Sequence, residues 1–366
     1  MNYYGRTNFR QLCGLRMSNL LHMNGISTFK GAKGFRYPEF WDFYKKHDRM
    51  HWTADEINLN QDLQDFQRAS PEEKEFITNV MRLFTQNEVV VGTGYATMLR
   101  IFKPMEVQAM LSNFMAREYT HIENYSLFTE TIGLPNSIYS DFLDIPQMAL
   151  KTEYLDKAKV KKYEYYKSMN LSNIELDKVF RSDVLRMLAT YGGGAEWISL
   201  MAQFAALLKY QFEGKYPGLC TIVEYSIKEE TIHGLGNSAL FRQTVEENMD
   251  IWTDELKYDI YEAIRETVAY EHTLIDYLNP PHMSNESLKR YAEYRADIAL
   301  NELGMKKNYG TTTNPLAYMD DVVGTVLTDF FAGSVTEYSK NIEGSWGDID
   351  YTRWTTPSSD TCEDSQ

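Results

Sequence analysis

Apolar and polar positions follow a helical period along most of this chain, and Pro and Gly residues divide it into long segments. The pattern predicts helices over about 37–52, 71–104, 104–132, 138–168 (one helix or two), 176–212, 252–278 and 284–304, and another after Pro217 that carries Glu230 and His233. The periodic pattern then fades, and the C-terminal residues are mostly polar. The sequence therefore predicts an all-α protein.

The clearest helix start lies at Ser70. Ser70 is a favourable N-cap, Pro71 suits the first helical position, and Glu73 completes the spacing of a capping box. The helix that begins here is predicted to end near Pro104, and the next one to stop at Gly133.

Three consecutive glycines, Gly192 to Gly194, interrupt the predicted helix just before Glu196. Each glycine costs roughly 1 kcal/mol in a helix interior. Two explanations fit the run: a π-bulge or kink that re-aims Glu196, or a close contact with a neighbouring helix.

Composition excludes several classes of function. The chain has 366 residues and a net charge of −15, which disfavours binding to a nucleic acid backbone, and it has no P-loop or dinucleotide-binding glycine motif. Its most apolar stretch, residues 195–208, is too short to span a bilayer, and the N-terminus lacks the apolar core of a signal peptide. Cys13, Cys220 and Cys362 form no C-x-x-C pair. We expect a soluble cytoplasmic protein that binds neither nucleic acid nor membrane.

A carboxylate, an imidazole and a phenol share one face of the helix predicted over about 104–132. Glu118, His121 and Tyr125 are spaced i, i+3 and i+7. The same Glu-x-x-His pair returns as Glu230 and His233. These two pairs are candidate metal ligands, and Tyr125 is an oxidisable ring beside the first of them.

Each Glu-x-x-His pair has a further acid upstream, with a turn between the two. Glu88 lies thirty residues before Glu118, and Glu196 lies thirty-four before Glu230. Pro104 and Pro217 mark the turns, so each couple reads as an antiparallel helix hairpin. At about 1.5 Å of rise per residue, Glu88 and Glu118 return to nearly the same height. Six side chains would then converge at one level.

This ligand set matches the general template of di-iron and di-manganese carboxylate bundles, in which two helices each supply a Glu and two supply a Glu-x-x-His. Four carboxylates with two imidazoles suit iron or manganese better than structural zinc or calcium. The alternative is a metal-free helical scaffold whose acids face solvent.

With these residues placed, the chain resembles the small, radical-generating subunit of class I ribonucleotide reductase from about Tyr37 to the C-terminus. The motifs that carry the resemblance are Glu118-x-x-His121-x-x-x-Tyr125 and Glu196 followed by Glu230-x-x-His233. It implies a ferritin-like helical bundle with additional helices and a dinuclear metal centre, most readily iron and alternatively manganese. It also implies a tyrosyl radical on Tyr125, formed with oxygen as the oxidant.

The resemblance further implies a radical relay through Trp52, Glu229 and Tyr351, with Trp354 as a competitor in the tail. Two positions depart from the family pattern. Glu88 stands where the family most often has Asp, with Asn87 a less favoured candidate, and Glu229 also replaces an Asp.

The resemblance implies a homodimer that docks on a large catalytic subunit through its tail. We expect one domain over residues 1–341, including an extended arm at 1–36, and a flexible acidic tail at 342–366. The implied activity is ribonucleoside-diphosphate reduction. The competing function is a ferritin-like ligand-binding oxidase or desaturase that acts on a lipid-like substrate.

Overall fold

The computed structural model of the protein describes residues 20–21, 34–50, 52–161, 165, 168–169 and 173–324. Across these residues the secondary structure is helical, and the one β-type feature is an isolated bridge between Leu21 and Phe102. The all-α prediction is confirmed. None of the described helices combines the length and apolar character that a membrane crossing requires.

The helices, in chain order, are α1 (Pro38–Asp48), α2 (Asn60–Arg68), α3 (Pro71–Ile101), α4 (Met105–Thr131), α5 (Ile138–Asp141), α6 (Pro146–Ala158), α7 (Asn173–Leu188), α8 (Met201–Leu208), α9 (Pro217–Glu247), α10 (Asp254–Leu278) and α11 (Asn285–Glu302). The predicted helix over 37–52 is shorter than expected, because α1 ends at Asp48. Trp52 therefore lies in the connection that follows α1, where it is buried.

Helices α3 and α4 form the first predicted hairpin. The Ser70 side chain accepts a hydrogen bond from the Glu73 backbone N–H at 3.2 Å, which caps α3 as expected. Glu73 does not complete the reciprocal half of a capping box. Its carboxylate instead accepts hydrogen bonds from Tyr216 Oη at 2.7 Å and Lys215 Nζ at 3.0 Å, so it ties the start of α3 to the start of α9.

The second hairpin is irregular on its first arm. Helix α7 continues into a π-helical segment, Ala189–Ala195, and regular α-helix resumes only at Met201. Leu200 takes a left-handed φ of 65°, a conformation that is costly for a branched side chain. The predicted π-bulge is confirmed, and the single predicted helix over 176–212 is divided into α7 and α8.

The close-contact explanation for the glycines also holds. A Cβ atom at Gly192 would lie 2.6 Å from Cβ of Asn237 in α9, and one at Gly194 would lie 2.7 Å from Oγ1 of Thr267 in α10. Only glycine lets the π segment approach both helices so closely. The two explanations describe one feature, since the π segment is pressed between its neighbours.

Five residues of the predicted N-terminal arm are described, 20–21 and 34–36. Leu20 and Leu21 are buried, the Leu20 carbonyl accepts a hydrogen bond from the Lys103 N–H, and the Leu20 N–H donates to Glu247. These contacts lie beside the α3–α4 turn. The rest of the arm and the whole 342–366 tail fall outside the described residues, so the predicted domain boundaries stay predictions.

Candidate metal centre

Six buried side chains converge between α3, α4, α9 and the segment that follows the π helix. Their ligand atoms form two overlapping groups, each within 4.8 Å. We call the first group, Glu88, Glu118, His121 and Glu230, the first position, and the second group, Glu118, Glu196, Glu230 and His233, the second position. The six residues that the sequence pattern selected are therefore brought together.

Helical register explains why these side chains meet. Glu118 and His121 lie one turn apart on α4, and Glu230 and His233 do the same on α9. Glu88 lies in the middle of the regular helix α3. Glu196 differs from the others, because its backbone lies in the irregular segment between Ala195 and Met201 and its N–H donates to the Tyr191 carbonyl in a π-type bond of 3.0 Å.

The two imidazoles turn the same ring nitrogen toward the carboxylates. His121 Nδ1 lies 3.1 Å from Glu230 Oε1 and 3.5 Å from Glu118 Oε2. His233 Nδ1 lies 3.0 Å from Glu118 Oε1 and 3.3 Å from Glu230 Oε2. Glu118 and Glu230 thus present one oxygen to each position, as bridging carboxylates would.

The donor atoms fit a pair of metal ions. Oε1 of Glu88, both oxygens of Glu118, Oε1 of Glu230 and Nδ1 of both histidines are buried, yet none makes a hydrogen bond within the described structure. Buried polar atoms without partners are costly, and four buried carboxylates more so. Two divalent cations would balance the charge of the four acids and supply the missing partner for every one of these atoms.

The pKa values of the carboxylates in the metal-free cluster also favour a metal site. Burial, reinforced by the charge of Glu230, raises the pKa of Glu88 and of Glu196 well above the ordinary range. Burial would also raise the pKa of Glu230, but contacts with Glu196, His121 and His233 outweigh it and hold that pKa well below the usual value. Without metal, the cluster keeps protons in place of cations.

The outer face of His121 is anchored by an acid and a cation. His121 Nε2 lies 2.9 Å from Glu229 Oε2, so its proton faces Glu229 and Nδ1 is left free for a metal. Arg117 Nε donates to Glu229 Oε1 at 2.7 Å, and both side chains are buried. Burial would raise the pKa of Glu229, but His121 and the other neighbouring groups outweigh it and lower that pKa.

Trp52 lies beside this chain of contacts without joining it by a hydrogen bond. Its ring centre is 6.2 Å from that of His121, and the Arg117 guanidinium carbon lies 5.6 Å from the Trp52 ring. The Trp52 indole N–H is buried and has no hydrogen-bond partner in the described structure. Arg117 thus contacts both relay candidates, Trp52 through its ring and Glu229 through a hydrogen bond.

Tyr125 is fully buried next to the first position. Its hydroxyl donates to Ser226 Oγ at 2.9 Å, and its ring centre lies 6.4 Å from that of His121. Phe84 packs against the ring at 5.0 Å. Burial raises the pKa of Tyr125 well above its usual value, so the phenol keeps its proton.

Comparison with known proteins shows the family. The family model described as "Ribonucleotide reductase, small chain" matches residues 32–315. This chain belongs to that family. A protein of Invertebrate iridescent virus 6, named as a probable ribonucleoside-diphosphate reductase small subunit, is 31% identical over 360 residues, which cover 88% of this chain and 99% of the relative.

More distant members of the ribonucleotide reductase small-chain family agree. The ribonucleoside-diphosphate reductase small chain of Variola virus is 25% identical over 314 residues and covers 83% of this chain and 89% of its own. The ribonucleotide reductase R2 subunit from Clostridium botulinum superposes with a TM-score of 0.73 at 19% identity, covering 88% of this chain and 97% of the R2 chain. The ferritin-like fold expected from the sequence is confirmed. Membership of this family implies a dinuclear metal site, and the carboxylate–imidazole cluster is compatible with one.

The sequence pattern did not single out four residues that contact either the six candidate ligands or the groups bonded to those ligands. Tyr95 donates a hydrogen bond from its hydroxyl to Glu196, and Asn237 Nδ2 donates to the Tyr95 hydroxyl at 2.8 Å. His47, which bonds to Asn113, stacks edge-on against His233 with ring centres 4.9 Å apart, and burial lowers its pKa to about 3. The fourth is Arg117.

Two of the four could have been found. Tyr95 lies seven residues after Glu88, and Asn237 four after His233, so each shares a helix face with a predicted ligand. His47 comes from α1, whose docking on α4 is not encoded in local spacing. The relay candidate Tyr351 lies outside the described residues, as do Trp354 and the rest of the tail.

Proposed function

We propose that this chain is the radical-generating small subunit of an aerobic ribonucleoside-diphosphate reductase. Glu88, Glu118, His121, Glu196, Glu230 and His233 hold two metal ions, iron in the first instance, and Tyr125 stores the radical. The observation that carries the proposal is the convergence of unpartnered buried donor atoms beside a buried phenol. Family membership favours this function over a lipid-directed oxidase or desaturase.

The residues around the centre divide the work. When bound, the metal pair would supply the redox chemistry by which dioxygen oxidises Tyr125. Tyr125 loses one electron together with its hydroxyl proton, because burial strongly disfavours a charged phenolate. Phe84 and the absence of solvent contact protect the resulting radical from water. Glu229 and Arg117 keep the His121 ring oriented. Trp52, whose ring centre lies 6.2 Å from that of His121, would pass an electron inward as the radical leaves Tyr125.

Electron paramagnetic resonance tests this proposal directly. Metal-free protein is loaded with iron or with manganese, separately, and exposed to oxygen. We expect a stable tyrosyl signal in the iron-loaded protein that disappears in Tyr125→Phe. Tyr154→Phe is the matched control, because its hydroxyl bonds to the Ala263 carbonyl and to none of the six candidate ligands. A signal that survives Tyr125→Phe, or no signal with either metal, would reject the assignment.

We also propose that the chain forms a homodimer and docks on a large catalytic subunit through residues 342–366. The tail is polar and acidic, yet carries Trp346, Tyr351 and Trp354, aromatic residues of the kind that anchor interfaces. Deleting it should preserve metal content and the Tyr125 radical, while abolishing binding of the large subunit and nucleotide reduction.

Single substitutions separate affinity from radical transfer in the tail. Tyr351→Phe should keep binding of the large subunit and stop turnover, because phenylalanine preserves the ring but cannot lose a phenolic proton with an electron. Trp354→Phe is the parallel variant and should retain turnover. The reverse result would move the relay to Trp354, and full activity of the truncated chain would reject the role of the tail.

A further inference from the structure

A second buried tyrosine touches the centre on the side away from Tyr125. Tyr95 of α3 is 1% exposed, and its hydroxyl donates a hydrogen bond directly to Oε1 of Glu196. Its ring packs edge-on against His233, with centres 6.0 Å apart. Tyr125, by contrast, bonds to a serine hydroxyl, and no carboxylate of the described residues accepts a hydrogen bond from it.

Asn237 fixes the direction of this hydrogen bond. Its amide Nδ2 donates to the Tyr95 oxygen at 2.8 Å, and an amide nitrogen can only donate. The phenol oxygen therefore accepts from Asn237, and its own hydrogen points to Glu196. Gly192 makes this possible, since a Cβ there would collide with Asn237.

Glu196 needs such an anchor more than Glu88 does. Its backbone lies after a π segment and before the left-handed Leu200, outside any regular helix. With Oε1 held by Tyr95, Oε2 faces the second position, 3.5 Å from His233 Nδ1. Glu88 rises from the middle of α3, and its Oε1 makes no hydrogen bond among the described residues.

We propose that Tyr95 is a positioning residue that holds Glu196 as a ligand through Oε2 alone. The second position then keeps a fixed coordination, while Glu88 at the first position is free to change how it binds its metal. The inference rests on the proposed dimetal centre. It adds that the two metal sites differ in how rigidly their own carboxylate ligand is held.

Titration of metal-free protein with Mn²⁺ alone measures the effect without any turnover. Free Mn²⁺, followed by its electron paramagnetic resonance signal, yields two binding constants for the wild type. In Tyr95→Phe we expect one of them to weaken by about tenfold or more, as is usual when a partner of a metal ligand is removed, and the other to stay unchanged. Tyr216→Phe is the matched control, since it removes a buried tyrosine hydroxyl bonded to a carboxylate, Glu73, that belongs to neither position, and it should change neither constant.

A double variant distinguishes positioning from general packing. If Tyr95 acts through Glu196, then Tyr95→Phe should have no further effect on Mn²⁺ affinity in a Glu196→Ala background. Equal loss in both backgrounds would overturn the proposal, as would two unchanged constants in the single variant. A wild type that binds no Mn²⁺ would reject the dimetal centre and this inference together, whereas two bound ions with no effect of Tyr95→Phe would reject the inference alone.

Discussion

At the first position the imidazole of His121 is held by a hydrogen bond from outside the metal ligands. Glu88, the carboxylate that belongs to this position alone, has no such bond among the described residues. His121 is held by Glu229, which Arg117 holds in turn, whereas Glu88 Oε1 makes no hydrogen bond in the described structure. At the second position the arrangement is reversed. Glu196 is held by Tyr95, whereas Nε2 of His233 has no hydrogen-bond partner among the described residues.

The backbones beneath the two positions explain this reversal. Glu88 projects from a long regular helix, so its backbone is fixed by the helix ladder and its side chain can remain mobile. Glu196 projects from a distorted segment and gains its fixed orientation from a side-chain hydrogen bond. A centre built from two similar Glu-x-x-His pairs thus becomes asymmetric through its surroundings.

The largest effect should come from removing a carboxylate that both positions share. Glu230→Ala deletes a donor from each group and should lower metal content from about two ions per chain to below about one, with no tyrosyl radical. The protein should stay folded, because α9 packs through its apolar side chains. Metal analysis, circular dichroism and electron paramagnetic resonance check this. Glu224→Ala, on the same helix outside both positions, is the control, and normal metal loading of Glu230→Ala would exclude Glu230 as a ligand.

The second-largest effect should come from removing Arg117, which holds Glu229 and through it His121. Arg117→Met leaves the buried Glu229 carboxylate without its cation and should cost about 3–5 kcal/mol in the free energy of unfolding. Mn²⁺ affinity should fall at one site only. Arg186→Met removes a half-exposed pair with Asp259 and should cost at most about 1 kcal/mol in urea unfolding. Equal costs for the two variants would show that the buried pair has no special weight.

The ligand pairs were predictable because they depend on local spacing. Glu118 with His121, and Glu230 with His233, follow from helical periodicity, and the position of Pro104 brings Glu88 level with Glu118. The three consecutive glycines, Gly192 to Gly194, indicated the helix distortion that precedes Glu196. The sequence did not reveal that Arg117 contacts both Trp52 and Glu229, because this depends on where the connection after α1 packs.

A substitution in the π segment should perturb the second position less strongly than the two changes above. Gly192→Ala places a methyl group 2.6 Å from Cβ of Asn237, a backbone-proximal atom that cannot simply rotate away. We expect overpacking to cost about 1–3 kcal/mol in urea unfolding and to displace Asn237 from Tyr95. The second site should therefore lose Mn²⁺ affinity while the first keeps it. Unchanged stability would mean that the π segment can move aside.

The smallest effect is expected at the corresponding glycine beside the first position, and its sign should be opposite. Gly92 lies inside regular helix α3, and an added Cβ would meet only Cβ of Glu118, at 3.9 Å, which is ordinary contact. Alanine is favoured over glycine in a helix interior by up to about 1 kcal/mol. Gly92→Ala should therefore raise the free energy of unfolding by up to about 1 kcal/mol and leave both Mn²⁺ constants unchanged. A loss of stability or of metal affinity would show that α3 is as tightly constrained at Gly92 as the π segment is at Gly192, and the contrast between the two positions would then not extend to their backbones.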